Sequence, residues 1–211
     1  MFTGIVQGIA EIRSVSVRPG LNTIGLVLPE QYRDNLRYGA SVSVDGVCLT
    51  VAAIEGDVVC FDVMQETLTR TTLGILSTGK RVNIERSAKA GDEIGGHAVS
   101  GHVDTVAEIV DIRKPENNTV IRIRVPNQWM PYVFSKGFLS INGCSLTVVN
   151  ADRNACTFEV WLIPETLRLT TFGEKMPGDQ VNLEIDRQTQ AIVDTVKALL
   201  SDPGFMKAIK D

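Results

Sequence analysis

The sequence predicts an all-β chain: two similar closed antiparallel barrels in tandem, followed by one α-helix. Three observations carry that reading. The chain repeats itself at a nearly fixed offset, each copy is a succession of short β-branched runs broken by Gly, Asp and Asn, and only the C-terminal segment has sustained helical periodicity.

The repeat begins with "FTGIVQGIAEI" (Phe2 to Ile12), which matches "VSGHVDTVAEI" (Val99 to Ile109) at five of eleven positions and an offset of 97. The same offset sets "PEQY" (Pro29 to Tyr32) over "PNQW" (Pro126 to Trp129), and "SVDGVCLTV" (Ser43 to Val51) over "SINGCSLTV" (Ser140 to Val148). Two residues then enter the second copy. Beyond them "ETLTRTTLG" (Glu66 to Gly74) meets "ETLRLTTFG" (Glu165 to Gly173), and "GKRVNIE" (Gly79 to Glu85) meets "GDQVNLE" (Gly178 to Glu184).

Within the first copy, "TIGLVLP", "ASVSVDG", "CLTVAAI", "DVVCFDVM" and "RVNIE" read as strands. Their counterparts are "VIRIRVP", "FLSING", "SLTVVNA", "CTFEVWLI" and "QVNLEI". About six strands in each copy, with no long helix between them, predict a closed barrel per half. Pro29 to Arg37 and Pro126 to Ser135 each predict a short helical turn opened by proline. From Gln188 to Leu200, the residues Ala191, Ile192, Val196, Leu199 and Leu200 recur at helical spacing. That segment has no counterpart in the first copy, so its apolar stripe must cover either its own barrels or another subunit. The domains expected are residues 1–90, 91–187 and 188–211, with Lys89 to Gly96 as the joint. Each half carries its own strand set, so residues 1 to about 90 are expected to fold alone.

Composition excludes several classes of function. Of 211 residues, 44% are hydrophobic and 22% charged, the profile of a globular protein, and the formal net charge of −4 with no Lys/Arg run gives nucleic acid no electrostatic footing. No apolar run is long enough to span a bilayer. The opening "MFTGIVQG" lacks the basic region and long apolar core of a signal peptide, so the cytoplasm is the expected location. Cys48, Cys60, Cys144 and Cys156 form no Cys-x-x-Cys pair and are expected to be reduced, small apolar side chains.

Both histidines of the chain, His97 and His102, fall in "GGHAVSGHVDT" (Gly95 to Thr105). Their spacing differs from the His-Glu-x-x-His of a helical zinc site, and Gly95, Gly96 and Gly101 oppose a helix, so no metal is expected. His102 lies inside the repeat and is the chemical candidate. His97 precedes the repeat and reads as a linker residue. His102→Gln is accordingly expected to lower turnover more than binding, and His97→Gln to do much less.

"MFTGIVQG", "DGVCLTV" and "NGCSLTV", the paired "ETL" segments and "GGHAVSGHVD" resemble the riboflavin synthase family, alpha-chain type, from Met1 to about Lys197. The resemblance implies two six-stranded Greek-key barrels, a homotrimer whose sites form between the first half of one subunit and the second half of its neighbour, and an association with lumazine synthase. It implies a transferase that dismutates two 6,7-dimethyl-8-ribityllumazine molecules by four-carbon transfer, giving riboflavin and 5-amino-6-(D-ribitylamino)uracil without a metal or redox cofactor.

The resemblance also implies the contacts. They are Gly4, Ile5 and Val6; Cys48, Leu49 and Thr50; Asp62, Val63, Met64, Gln65, Glu66 and Thr67; Gly101, His102 and Val103; Lys136; Ser145, Leu146 and Thr147; and Ile163, Pro164, Glu165, Thr166, Leu167 and Arg168. Two identical substrates suit two similar pockets, but donor and acceptor roles require the pockets to differ. The repeat shows that difference: His102 aligns with Ile5, Ser145 with Cys48, and Asp186 with Ser87. His102, Ser145, Asp186 and Cys48 are the catalytic candidates. A base with a pKa near neutrality suits deprotonation of the acidic 7-methyl group, and a hydroxyl suits activation at C7 of the other lumazine. Asn142 stands where some family members carry an acid, while Asp45 keeps the carboxylate in the first half; both suit a turn. A competing reading is a lumazine- or flavin-binding antenna protein without activity. A flavin-reductase-like barrel lacks a glycine-rich nicotinamide segment to support it.

Overall fold

A computed structural model describes residues 1–208. Its first barrel comprises β1 (Gly8–Arg18), β2 (Leu21–Val27), β3 (Ser41–Val44), β4 (Val47–Glu55), β5 (Val58–Met64) and β6 (Arg81–Arg86). The second comprises β7 (Thr105–Arg113), β8 (Thr119–Arg124), β9 (Phe138–Ile141), β10 (Cys144–Asp152), β11 (Thr157–Leu162) and β12 (Gln180–Ile185). Around the first barrel the antiparallel order is β1-β2-β5-β4-β3-β6, and the second closes in the same ring, β10-β11-β8-β7-β12-β9. That order is the Greek key, since β2 lies beside β5 after the β3-β4-β5 meander. Bulges at Ile12/Ser14 and Val51/Ala53 recur at Ile109/Asp111 and Val148/Asn150, where each barrel bends to close.

The helical elements are α1 (Glu30–Arg33), α2 (Gln65–Arg70), α3 (Pro164–Leu169), α4 (Arg187–Ser201) and α5 (Pro203–Ala208), with 3₁₀ turns at Thr72–Ile75, Asn127–Tyr132 and Thr171–Glu174. The two proline-opened turns and the C-terminal helix fall where the sequence predicts them. The sequence reading contained neither α2 nor α3, whose repeated "ETL" segments are too short to show a helical period. The last three positions of the expected C-terminal segment, 209–211, lie outside the described residues.

Each barrel holds its own apolar core, but the segments that open the two repeats are exchanged. Val6 is buried in the core of the second barrel with Ile109, Leu146 and Phe158. Val103 packs on the core of the first, with Leu49, Phe61 and Val63. Midway, Phe2 and Val99 form an antiparallel bridge with N–H···O distances of 2.8 and 3.0 Å. Two buried carboxylates hold the crossing strands. Glu85 on β6 accepts the Thr3 N–H at 2.6 Å, the Thr3 hydroxyl at 2.8 Å and the Gly4 N–H at 3.1 Å. Glu184 on β12 accepts the equivalent groups of Ser100 and Gly101 at 2.7–2.9 Å. The strands of each barrel lie within the units read from the repeat, 1–90 and 91–187, but each barrel also packs the opening residues of the other unit. Each barrel is sealed by the other half's first residues.

A second symmetric device joins the barrels. Asp45 and Asn142, both at positive φ and buried, occupy facing turns whose glycines Gly46 and Gly143 abut backbone to backbone. Asp45 accepts the Asn83 N–H at 2.8 Å, and Asn142 accepts the Asn182 N–H at 2.7 Å. The Asn83 amide then crosses to the Asn142 carbonyl and the Thr171 N–H, while the Asn182 amide crosses to the Asp45 carbonyl and the Thr72 N–H. Asn142 thus holds a turn, as its place in the repeat suggests, and also a junction between the barrels, which the sequence reading did not contain.

Asp45 makes the same bonds as Asn142 but is ionisable. Burial pushes its carboxyl up from 3.8 to about 6, against the Asn83 hydrogen bond and the nearby Lys175 charge. The folded value lies above the unfolded one, so the native state keeps this proton to higher pH. As far as this group decides it, stability is full below about pH 4 and falls as pH rises toward 6, by on the order of 3 kcal/mol. Asp45→Asn is expected to raise the melting temperature at pH 7 and to flatten its dependence on pH between about 4 and 6. Unchanged melting across that range would show that the carboxylate is not penalised.

Candidate active site

The exchange of opening segments creates two seams. At the first, Gly4, Ile5 and Val6 run beside Ser145, Leu146 and Thr147 at the start of β10. The Ser145 N–H donates to the Gly4 carbonyl at 2.7 Å. A Cβ on Gly4, whose φ is +74°, would stand 2.6 Å from the Ser145 Cβ, so only glycine allows this approach. Leu167 of α3 packs on the same core as Val6 and Leu146, which brings the group from Ile163 to Arg168 to this seam. Lys136 is exposed and donates its N–H to Val148 at 2.7 Å, which places it beside β10.

At the second seam, Gly101, His102 and Val103 run beside Cys48, Leu49 and Thr50 on β4. The Cys48 N–H donates to the Gly101 carbonyl at 2.8 Å. Val63 and Leu68 share a core with Leu49 and Val103, so the group from Asp62 to Thr67 belongs here. The residues expected to contact substrate thus fall into two composite sets, each drawn from both halves of the repeat. The polar set read as belonging to the second half is accordingly divided. His102 is delivered to the Cys48 seam, and Ser145 receives Ile5.

The two rims differ in chemistry. Asp62 accepts the Thr23 hydroxyl at 2.6 Å and Arg18 at 3.1 Å, whereas the repeat places Trp161, an exposed aromatic, at the position of Asp62. On α3, Glu165 holds Arg168 at 2.6 and 2.9 Å, and that pairing keeps its carboxyl below the usual range. On α2, Glu66 pairs with Arg70 in the same way.

His97 is not a plain linker residue. Its Nδ1 lies 2.6 Å from the Ser145 hydroxyl, its N–H donates to Thr3 at 3.1 Å, and its ring stacks on Phe138 with centroids 5.7 Å apart. Burial lowers its pKa from the usual imidazole value, against the pull of the Asp186 charge. Asp186 caps α4, accepting the Thr189 N–H and hydroxyl, each at 2.7 Å. Burial pushes its carboxyl up, but the Thr189 bonds and the charge of His97 outweigh this and hold it below the usual range. His97, His102, Asp186 and Phe138 line one cavity of about 620 Å³. The His102 side chain is exposed, and the backbone carbonyl of His102 accepts Arg187.

Sequence reasoning missed Glu85, Glu184, Phe138 and the contact of His97. The repeat did carry a signal for the glutamates: "VNIE" and "VNLE" keep an acid at equivalent positions where a barrel strand should bury its side chain. Among the described residues no cluster of three or more His, Cys, Asp or Glu side chains is arranged to hold a metal ion. No described helix is long and apolar enough to cross a membrane.

The chain is similar to known proteins over most of its length. The family described as lumazine binding domain matches residues 3–87 and again residues 100–186. Riboflavin synthase of Escherichia coli (strain K12) is 50% identical over 202 residues, covering 95% of this chain and 94% of that protein. Riboflavin synthase of Chlamydia pneumoniae is 43% identical over 204 residues, covering 97% of this chain and 99% of that protein. Among solved structures, LumP complexed with 6,7-dimethyl-8-(1'-D-ribityl)lumazine superposes with a TM-score of 0.80 at 28% identity, covering 89% of this chain and 100% of LumP.

Proposed function

The chain belongs to the riboflavin synthase family and carries that family's activity, and we propose that it works at the two seams formed by the exchanged segments. One observation carries this reading. The same backbone frame is built twice, Gly4 against Ser145 and Gly101 against Cys48, with different reacting groups in each copy. Two molecules of one substrate need similar frames, and a dismutation needs them to be treated differently.

One lumazine lies against Gly4 to Val6, Lys136, Ser145 to Thr147 and Ile163 to Arg168. The other lies against Cys48 to Thr50, Asp62 to Thr67 and Gly101 to Val103. Backbone groups at the strand edges and the hydroxyls of Thr50 and Thr147 are suited to a pyrimidinedione edge. Ser145 activates C7 of its lumazine, and His102 moves the proton at the other seam. Orientation of the two rings against each other supplies several kcal/mol of the barrier.

The likeness to LumP, which the cited structure shows with a bound lumazine, keeps the antenna reading as the comparator. Mixing the purified protein with 6,7-dimethyl-8-ribityllumazine separates the two. Continuous appearance of riboflavin fluorescence, with the pyrimidinedione product in equal amount, is the expected result. A single spectral shift that then stops would leave a binding protein.

The assembly we infer is a homotrimer whose sites form between chains. Its support is α4, which contributes no buried residue to this chain. It meets the second barrel through the Tyr132 hydroxyl, 2.6 Å from Asp194, and leaves Ile192, Val196, Leu199 and Leu200 exposed. Removing the chain after Gln190 is expected to weaken assembly and activity together while each barrel still binds ligand, as sedimentation and ligand fluorescence would report. Mixed oligomers of a Ser145→Ala chain and a Thr50-impaired chain are expected to regain activity on subunit exchange. Exchange without recovery would place the site within one chain. A reducing, cytoplasmic setting fits the four free cysteines, of which Cys144 is buried and has its thiol pushed up to about 12. The association with lumazine synthase rests on the resemblance alone, and co-sedimentation tests it.

A further inference from the structure

We propose that His97 is the positioning residue of Ser145, holding its hydroxyl so that an oxygen lone pair rather than the proton faces the bound lumazine. The inference rests on the reading of Ser145 as the acting hydroxyl at the first seam.

The joint reaches Ser145 by a route that only this local sequence allows. A Cβ on Gly96 would stand 2.3 Å from the Thr3 carbonyl and 2.7 Å from the Ser145 Cβ, so glycine is required for the chain to pass between them. The next residue is then held on three sides: its N–H by the Thr3 carbonyl, its ring face by Phe138, and its Nδ1 by the Ser145 hydroxyl at 2.6 Å. A serine hydroxyl rotates freely unless a partner selects one orientation. With a neutral ring accepting at Nδ1, the proton points to His97 and the oxygen is left to the ligand. With a charged ring the roles invert, and the Ser145 proton is released toward the ligand.

The groups that face this ring set its charge. Burial between Thr3 and Phe138 favours the neutral form and the Asp186 charge at the start of α4 favours the charged one, in a cavity that Met1, His102 and Arg187 also line. The chain's second histidine, His102, reaches the Cys48 seam through its backbone, but its ring is exposed and, among the described residues, makes no hydrogen bond to Cys48 like the one His97 makes to Ser145. The joint therefore makes the two seams unequal at the hydroxyl and thiol that the repeat otherwise places identically. The contact gives His97 a part that the sequence reading, in which His97→Gln does much less than His102→Gln, did not assign to it.

The test uses the full chain and 6,7-dimethyl-8-ribityllumazine, with riboflavin formation as the readout. The parent must first turn over; if it does not, the proposed function fails and the assignment of His97 falls with it. Given turnover, His97→Phe is expected to lower kcat by roughly 30- to 100-fold with KM changed little, since a misplaced group can cost about 100-fold. The acid limb of the kcat profile, present in the parent below the usual imidazole range, is expected to vanish. His97→Asn, whose amide oxygen can stand near the Nδ1 position, should recover much of the rate but not the acid limb. In a Ser145→Ala background, His97→Phe should cause almost no further loss. An unchanged kcat, an acid limb that survives in His97→Asn, or losses that multiply in the double variant would each overturn the assignment while leaving the family activity standing. Should His97→Phe not fold, His97→Asn decides through its pH profile alone.

Discussion

Ser145→Ala is expected to lower turnover by roughly 10²- to 10³-fold while leaving lumazine and riboflavin affinity nearly intact, in the range seen when a group acting on a proton in the transition state is removed. The backbone of Ser145 already serves the fold, since its N–H donates to Gly4 at 2.7 Å. Alanine keeps that bond and the close approach of Gly4, so the substitution removes the hydroxyl alone. Its repeat-mate offers the control. Cys48→Ala keeps the matching bond to Gly101 at 2.8 Å and removes a thiol that has no imidazole against it. The expected loss there is much smaller. Single-turnover rates measured beside ligand titrations check both statements. Equal losses at the two positions would show that the seams work alike and that the Ser145 and His97 pair has no special part.

The second large effect is expected from ending the chain at residue 90. By itself the first half would leave the Cys48 N–H without the Gly101 carbonyl, the Val103 position on its core empty, and its own Val6 without the second barrel. An unsatisfied buried amide costs about 1–3 kcal/mol, and exposing a buried valine or two costs about 1.5–3 kcal/mol each. Together these approach the whole stability of a small domain, about 5–15 kcal/mol. The repeat provides the remedy, because Gly4 and Val6 of a second copy are equivalent to Gly101 and Val103. The half is therefore expected to be stable as a pair of copies that exchange their opening segments, rather than alone as the strand count suggests. At the junction of such a pair Asp45 would face Asp45, and Leu76 would stand in the place of Lys175. Two buried carboxylates with no ammonium beside them repel each other, so the pair should tighten as pH falls through about 6, the folded-state value of Asp45 in the full chain, and Asp45→Asn should tighten it at pH 7. Sedimentation of the half across pH checks this. A stable monomer would show that the exchanged segments are dispensable.

Most of the architecture was legible in the chain. A repeat at an offset of 97, with β-branched runs at matched positions, leaves few solutions other than two barrels of one topology, because period and turn chemistry are local properties. The proline-opened turns and the one amphipathic helix followed from the same local rules. The short helices α2 and α3 were not legible, since six residues hold less than two turns and show no period.

What the sequence determined by itself was the list of chemical groups and their repeat-mates: Ser145 for Cys48, His102 for Ile5, Asn142 for Asp45. What only the tertiary structure decided was which of them meet. Alignment pairs residues that hold the same place in two barrels, and it assigned the imidazole, hydroxyl and carboxylate to one half. Packing pairs residues across the barrels instead, because the opening segments bury Val6 in the second core, pack Val103 on the first, and let Glu85 and Glu184 satisfy the crossing backbone. That exchange sent His102 to Cys48 and Ile5 to Ser145. It also drew the joint inward past Gly96 until His97 reached the Ser145 hydroxyl, a contact across 48 residues that no local pattern encodes.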